Sequence, residues 1–112
     1  MAWQEDDRAE KARRTANRMA KAIVQHHVAD YDQWLPVFIE HGDVRRQYGA
    51  TGHTVSRGAS DPNDLVIVNE FATLEGAVGF SQDPSLPEVM HRAGVDGPPQ
   101  VWIVEDADAA AY

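Results

Sequence analysis

The chain has 112 residues, no cysteine and a formal net charge of −8. This length suits one domain with its own hydrophobic core, and the absence of cysteine excludes disulfides, thiolate nucleophiles and cysteine-ligated metal centres. No apolar run is long enough to cross a membrane, and no apolar signal segment follows the N-terminal charges. We therefore expect a cytoplasmic protein without a membrane partner.

The charge is distributed unevenly along the chain. Residues 1–21 hold six of the ten basic residues against four acidic ones, whereas the rest of the chain holds four arginines against fourteen acidic residues. An acidic body repels phosphate groups, so we expect no nucleic-acid partner. The pattern predicts a basic arm over residues 1–20, flexible or helical, a folded domain over 21–106 and a short tail over 107–112.

The first predicted element is a strand over residues 22–28, where the run AIVQHHV is typical of a β-strand. Asp30 or Asp32 can then cap a helix that runs to about Gln47. Pro36 has no amide hydrogen and so belongs in a first helical turn. This places the start of regular helix near Asp32.

The remaining elements are predicted from alternation, capping residues and turns. They are a strand near 52–57, a loop over 58–64, a strand over 65–71, a helix from Thr73 to Ser81, a further helical turn from Ser85 to Ala93, a break at 97–99 and a last strand over 100–105. Ser85 and Glu88 have the S-x-x-E spacing of a helix start. The order predicts an α+β fold, ferredoxin-like βαββαβ, with a four-stranded antiparallel sheet.

Both faces of this predicted sheet are apolar. Right-handed crossovers place the two helical segments on one face, which leaves the other face uncovered. Val66 and Val68 alternate with the apolar residues of their own strand, and Trp102 and Val104 do the same in the last strand. A large exposed apolar face marks an interface, so we expect a homodimer that packs sheet against sheet.

Seven residues of the first helix share one face at 100° per residue, namely Tyr31, Trp34, Leu35, Phe38, His41, Gly42 and Arg45. His41 and Arg45 stand where a simple core would have leucine or valine. A buried guanidinium needs a carboxylate or a wet cavity, so this face indicates a pocket for a planar, oxygenated molecule. In the structural alternative, Arg45 pairs with Glu70 and His41 bonds a backbone carbonyl.

Two adjacent histidines occur in the first strand. Strand neighbours point to opposite faces, so His26 and His27 cannot share one site. His26 lies on the same face as Val24 and Val28, which makes it either a pocket residue or a satisfied core histidine, while His27 is expected to be exposed. No histidine pair has metal-ligand spacing, so we predict no metal site.

Between residues 19 and 105, a family resemblance is carried by the segments VQHHVADYDQW, FIEHGDVRRQYG, GHTVSR, DPNDLVIVNEF and MHRAGV. Through them the chain resembles the dimeric α/β-barrel superfamily, and within it small antibiotic-biosynthesis-monooxygenase-like, cyclase-type and stress-responsive proteins. The resemblance implies a homodimer in which two sheets close a barrel. It also implies a pocket between sheet and helices in each subunit.

For function, the resemblance implies a monooxygenase or cyclase that needs no cofactor and acts on an aromatic or polyketide-like compound. On this interpretation His26 or His41 exchanges a proton with the substrate, and Arg45 or Asn69 steadies the developing oxyanion. The other residues expected to contact the substrate are Tyr31, Trp34, Phe38 and Met90.

Two alternatives stay open at this stage. One is a non-catalytic small-molecule-binding or stress-associated protein that uses the same pocket. The other is a haem- or metal-binding member of the superfamily, in which His91 would bind the iron and Arg92 would meet a propionate. The basic arm could in addition tether the domain to a partner.

Overall fold

The structure, a computed structural model, describes residues 19–112. Its elements are β1 (Ala20–Val28), α1 (Tyr31–Glu40), α2 (Gly42–Gln47), β2 (Ala50–Arg57), β3 (Asp64–Phe71), α3 (Leu74–Ser81), α4 (Leu86–Arg92) and β4 (Val95–Glu105). The predicted ferredoxin-like α+β fold is confirmed. The predicted basic arm lies almost wholly outside the described residues and stays a prediction.

The four strands form one antiparallel sheet in the order β2-β3-β1-β4. The two central strands are held in register by pairs such as Val24 with Ile67 and Ala22 with Asn69. The pairing of β1 with β4 shifts between Gln25 and His27. Helices cover one face of this sheet, and the core lies between them and the alternate residues of β1 and β3.

The predicted first helix differs from the observed one in two ways. It begins at Tyr31, where the Asp30 carboxylate accepts a 2.9 Å hydrogen bond from the amide of Asp32, so Pro36 lies in the second turn. Both Pro36 and Asp32 are exposed, so water can reach the carbonyl that the proline leaves without a helical partner. The helix also divides at His41, where ψ is 0°, just before Gly42, a poor helix former.

Two further sequence expectations hold in part. The break expected at 97–99 is a bulge within β4: the pairing with β1 passes from Gln25 with Gln100 to His27 with Asp96, so residues 97–99 lie opposite His26 alone, and Gly97 has a φ of 78°. The helix start predicted at Ser85 is confirmed, because Ser85 immediately precedes α4, but its side chain is not a cap. Its hydroxyl makes no bond to the first turn of α4 and is engaged elsewhere.

The face of the sheet turned away from the helices carries an apolar patch. Val66, Trp102 and Val104 are 39%, 47% and 39% exposed on it, and Ile23 and Val68 lie beside them. The same face also carries polar residues, namely Lys21, Gln25, Thr54, Ser56, Glu70 and Gln100, so the predicted apolar face is confirmed only for this patch. Within the described residues, no helix has the length and apolar character needed to cross a membrane.

Candidate functional site

A cavity of about 490 Å³ lies between the helices and the sheet. Seven of the residues singled out from the sequence line it. They include His26 and Asn69 from the sheet, and the rest come from the helices, namely Trp34, Phe38, His41, Arg45 and Met90. The sheet and the first helical segment thus meet in one chamber.

Two predicted residues lie outside this cavity. Tyr31 stacks on Trp34 with ring centroids 5.9 Å apart, and the guanidinium of Arg57 lies 4.1 Å from its ring centre, so Tyr31 supports the wall from behind. His91 is exposed and does not line the cavity, so the geometry does not bring the expected haem ligand to it. Arg92 is also exposed, and its guanidinium lies 3.9 Å from the carboxylate of Glu40.

One wall of the cavity is an aromatic stack. The rings of Trp34 and Phe38, one helical turn apart in α1, lie 4.8 Å apart and only 18° from parallel. The guanidinium carbon of Arg45 lies 3.8 Å from the centre of the Phe38 ring. Phe38 and Arg45 lie together as predicted although the helix divides at His41 between them, because the guanidinium of Arg45 contacts the Phe38 ring across the division.

His41 belongs to a hydrogen-bonded chain of four side chains. Its Nε2 lies 2.9 Å from Oγ of Ser85, which in turn donates to the carboxylate of Asp83. The other oxygen of Asp83 accepts a 2.6 Å hydrogen bond from the hydroxyl of Tyr48. The chain links α1, the loop between α3 and α4, and the residue after α2.

This chain fixes the tautomer of His41. The hydrogen bonds from Ser85 and Tyr48 hold the pKa of Asp83 below its ordinary value, so Asp83 is an ionised, acceptor-only group. Ser85 must therefore donate to Asp83 and accept from His41, which places the imidazole proton on Nε2. Burial, together with the charge of Arg45, lowers the pKa of His41. The neutral ring then has a basic Nδ1, and Ser85 is its only hydrogen-bond partner within residues 19–112.

The sheet side of the cavity holds polar atoms without partners. His26 is buried, and neither of its ring nitrogens forms a hydrogen bond within the described part of the chain. Burial lowers its pKa to about 4, so it is neutral at physiological pH. Asn69 donates to the backbone oxygen of Ala22 at 3.2 Å, but its own amide oxygen is unpartnered there. Since buried polar groups are nearly always bonded, these atoms indicate a polar ligand or water in the cavity.

Arg45 is only 5% exposed, and burial, with the nearby charge of Arg46, lowers its pKa to about 10. Its guanidinium donates to the backbone oxygen of Phe38 at 2.8 Å. The ion pair considered with Glu70 does not form, because the alternation of β3 places Glu70 on the opposite face from Asn69. The alternative for His41, a bond to a backbone carbonyl, is also wrong, since Ser85 is its partner.

Sequence reasoning missed three residues of this site, Tyr48, Asp83 and Ser85. Ser85 was assigned to a helix cap, and Asp83 stands in a turn rich in proline and acid that carries no recognisable motif. Tyr48 reaches Asp83 because α3 packs closely against it. A Cβ at Gly76 would lie 2.1 Å from the backbone oxygen of Tyr48, and one at Gly79 would lie 3.1 Å from its ring.

On the outer side, His27 has acidic neighbours. Its two ring nitrogens lie 2.6 Å from a carboxylate oxygen of Asp96 and 3.2 Å from one of Asp61. Asp64 also lies nearby. The atoms of His27, Asp61 and Asp64 that could ligate a metal ion lie within 4.8 Å of one another. The hydrogen bond that His27 donates to Asp96 raises the pKa of His27, and the negative charges of Asp96 and Asp61 raise it further. Both nitrogens of this imidazole thus contact carboxylates.

Comparisons with known proteins agree on the fold. No protein-family model matches the chain, and no curated protein matches it by sequence. Its structural neighbours are ferredoxin-fold proteins of the antibiotic-biosynthesis-monooxygenase type. At identities below 20%, this likeness establishes a shared fold.

Three neighbours illustrate the extent of the match. A Bordetella bronchiseptica protein named as a candidate antibiotic biosynthesis monooxygenase aligns with a TM-score of 0.64 and 18% identity, over 80% of this chain and 98% of its own. One of the same description from Caulobacter crescentus has a TM-score of 0.64 and 10% identity, over 88% and 99%. SnoaB of Streptomyces nogalater, described as a cofactor-independent oxygenase, has a TM-score of 0.65 and 11% identity, over 82% and 96%.

Proposed function

We propose that this protein is a monooxygenase that needs no cofactor and acts on a planar, aromatic or polyketide-like compound. The observation that carries the proposal is the neutral imidazole of His41. Its proton is fixed on Nε2 by Ser85 and Asp83, and it lines a cavity walled by stacked rings. The description of SnoaB as a cofactor-independent oxygenase on the same fold supports it.

His41 is the proposed base. A base must present a free lone pair, and the bond from Nε2 to Ser85 leaves Nδ1 as the only nitrogen of this ring able to accept a proton. When Nδ1 takes up a proton, the ring becomes a cation, and the negative charge of Asp83 stabilises that cation through Ser85. Asp83 and Ser85 are therefore positioning residues, which act on the reaction through His41.

The sheet residues are the proposed partners of the substrate's oxygen atoms. His26 can donate from one nitrogen and accept at the other, while the Asn69 amide has an unbonded oxygen and a second N–H. Asn69 pairs with Ala22 across the sheet, and His26 is four residues farther along β1. At about 3.3 Å per residue, roughly 13 Å of strand separates these positions, so a substrate that reaches both has several fused rings.

The reaction balances with O₂ as the co-reactant. His41 removes a proton from a methylene group flanked by aromatic rings and conjugated to a carbonyl, and Asn69 hydrogen-bonds the resulting enolate oxygen. The carbanion gives one electron to O₂, and the radical pair combines to form a carbon–oxygen bond. His41 returns its proton to the peroxide anion. The O–O bond then breaks as the second C–H proton leaves and joins the departing hydroxide, so the products are a ketone and one water.

Oxygen uptake by the full-length protein tests this proposal. We expect anthrone, a three-ring compound with such a methylene, to consume one O₂ and to gain one ¹⁸O atom from ¹⁸O₂. Ring closure of a linear polyketide mimic with loss of water and no oxygen uptake would replace the oxygenase with a cyclase. Saturable binding without any product would replace it with a small-molecule-binding protein.

The active form is proposed to be a homodimer. The uncovered face of the sheet presents Val66, Trp102 and Val104 to solvent in one protomer, and two such faces together would bury them. Sedimentation equilibrium at micromolar concentration should give twice the mass of the chain. Replacing Trp102 with Glu should give monomers, whereas a monomeric wild-type protein would contradict this assembly.

A further inference from the structure

The cavity contains a buried positive charge without a negative partner. Arg45 is 5% exposed, and among residues 19–112 no carboxylate lies within ion-pair distance of its guanidinium. Within these residues, its one hydrogen bond goes to the backbone oxygen of Phe38. A guanidinium offers five N–H donors, so most of its donors have no partner in the described part of the chain.

The other groups of the cavity do not compensate this charge. The two lining imidazoles, His26 and His41, are neutral for the reasons given above. Asp83 also lines the cavity, but it already accepts hydrogen bonds from Tyr48 and from both the hydroxyl and the amide of Ser85. The lining therefore holds one cation, Arg45, and one anion, Asp83, and of the two only Asp83 is already bonded by other side chains of the described residues.

The position of the guanidinium fits an anion attached to an aromatic ring. Arg45 lies over Phe38, which stacks on Trp34, so the charge is at one end of the aromatic stack. The N–H groups of a guanidinium lie in its plane, and stacking occupies a face while leaving the edge available. Arg45 also lines a second hollow of about 220 Å³, and none of the residues that line it is acidic.

We infer that the ligand of this cavity is an aromatic carboxylate, whose rings lie against Trp34 and Phe38 and whose carboxylate binds the guanidinium of Arg45. That this ligand is the substrate rests on the proposed function. A paired guanidinium and carboxylate form two parallel hydrogen bonds, which neutral analogues cannot reproduce. The polar groups of the substrate then divide into a carboxylate at Arg45 and ring oxygens at His26 and Asn69.

Binding of two matched probes tests the inference without any turnover. Anthracene-2-carboxylate and anthracene-2-carboxamide have the same rings and nearly the same shape, and each can be titrated by its own fluorescence at neutral pH. We expect the carboxylate to bind about tenfold more tightly or better. Because the contact is buried, this preference should persist at high salt, where surface attraction is screened.

Two variants locate the contact. Arg45→Gln should bind both probes equally, whereas Arg46→Gln should keep the preference, because Arg46 is exposed and paired with Asp43. Equal binding of both probes by the wild type, or an unchanged preference in Arg45→Gln, would overturn the inference. If Arg45→Gln does not fold, the NMR resonance of the Arg45 Nε–Hε group in the wild-type protein decides. Its chemical shift should change on addition of the carboxylate and remain unchanged on addition of the amide. The same shift with both probes would contradict the contact.

These results are separable from those on catalysis. A carboxylate preference without oxygen uptake supports the binding site and removes the oxygenase. Oxygen uptake from anthrone without any carboxylate preference supports the oxygenase and removes the aromatic-acid ligand.

Discussion

His26 and His27 are neighbours in β1, yet they occupy opposite chemical environments. His26 faces the cavity, makes no hydrogen bond within the described residues and has its pKa lowered to about 4. His27 faces outward between Asp61 and Asp96, and these bonds raise its pKa. One step along a strand thus separates a neutral imidazole that faces the cavity from an imidazole held between two carboxylates. The inner side of this sheet lines the cavity, and the outer side presents charged and apolar side chains to solvent.

The largest expected effect tests the reactivity of the inner side. His41→Gln should lower turnover of anthrone by about 10²- to 10⁴-fold, because it removes the proposed base. The matched control is His53→Gln, since His53 also contacts Phe38 but is exposed and does not line the main cavity. Oxygen-uptake rates on the two variants make the comparison. Equal rates in both would show that His41 is not the base.

The pH dependence of stability should differ in sign between the two strand histidines. The unfolded chain takes up a proton at His26 below about pH 6.5, whereas the folded protein does so only near 4, so acidification between these values favours unfolding. The contribution reaches about 3 kcal/mol at the acid end. His26→Gln should remove this loss.

The pKa of His27 is instead raised in the folded protein, so its stabilisation is complete below about pH 6.5 and disappears as the pH rises through the folded value. His27→Gln should therefore be less stable than the wild type in mild acid and equal to it at high pH. Urea denaturation across pH 4–9 measures both variants. The same sign of pH dependence for the two would contradict the assigned environments.

The same valine-to-alanine substitution on each face of the sheet compares how much packing on that face contributes to the free energy of unfolding. Val28→Ala should lower the free energy of unfolding by about 2–3 kcal/mol, because Val28 is fully buried in the core. Val66→Ala should change it by less than about 0.5 kcal/mol in the dissociated chain, because Val66 is exposed on the outer face. The test is denaturation at low protein concentration. At high concentration, Val66→Ala should lose stability through weaker assembly.

The smallest effect concerns the bond that orients His41. Ser85→Ala removes both hydrogen bonds of this hydroxyl, and the loss of the one with His41, worth about 1 kcal/mol, should slow turnover by several-fold. Ser81→Ala is the control, because Ser81 also lines the cavity but its hydroxyl bonds the backbone oxygen of Val78 and not His41. Imidazole ¹⁵N shifts report the tautomer directly. The wild type and Ser81→Ala should carry the proton on Nε2, while Ser85→Ala should show a mixture.

Periodicity predicts the parts of this molecule in which the position of a residue along its helix or strand decides which way its side chain faces. The alternation of β1 places His26 inside and His27 outside, and the helical spacing brings Phe38, His41 and Arg45 to one wall. Both results follow from local geometry, and both agree with the structure. The fold follows for the same reason, since the order of elements leaves few topologies.

Sequence patterns fail to predict a side chain's hydrogen-bond partner where that partner is distant in the chain. Ser85 has the spacing of a helix cap, but its hydroxyl bonds Asp83 and His41 instead. Tyr48 and Asp83 are 35 residues apart and meet only through packing of α3. Such partners are properties of the assembled layers, and no single segment encodes them.

The close approach of α3 to Tyr48 has a consequence for acid–base chemistry. Position 76 has no side chain, and a single methyl group there would collide with the backbone oxygen of Tyr48. The helix would have to lift, and the loop with Asp83 would move with it. The location of one proton on a distant imidazole therefore depends on a glycine hydrogen that touches neither ligand nor base.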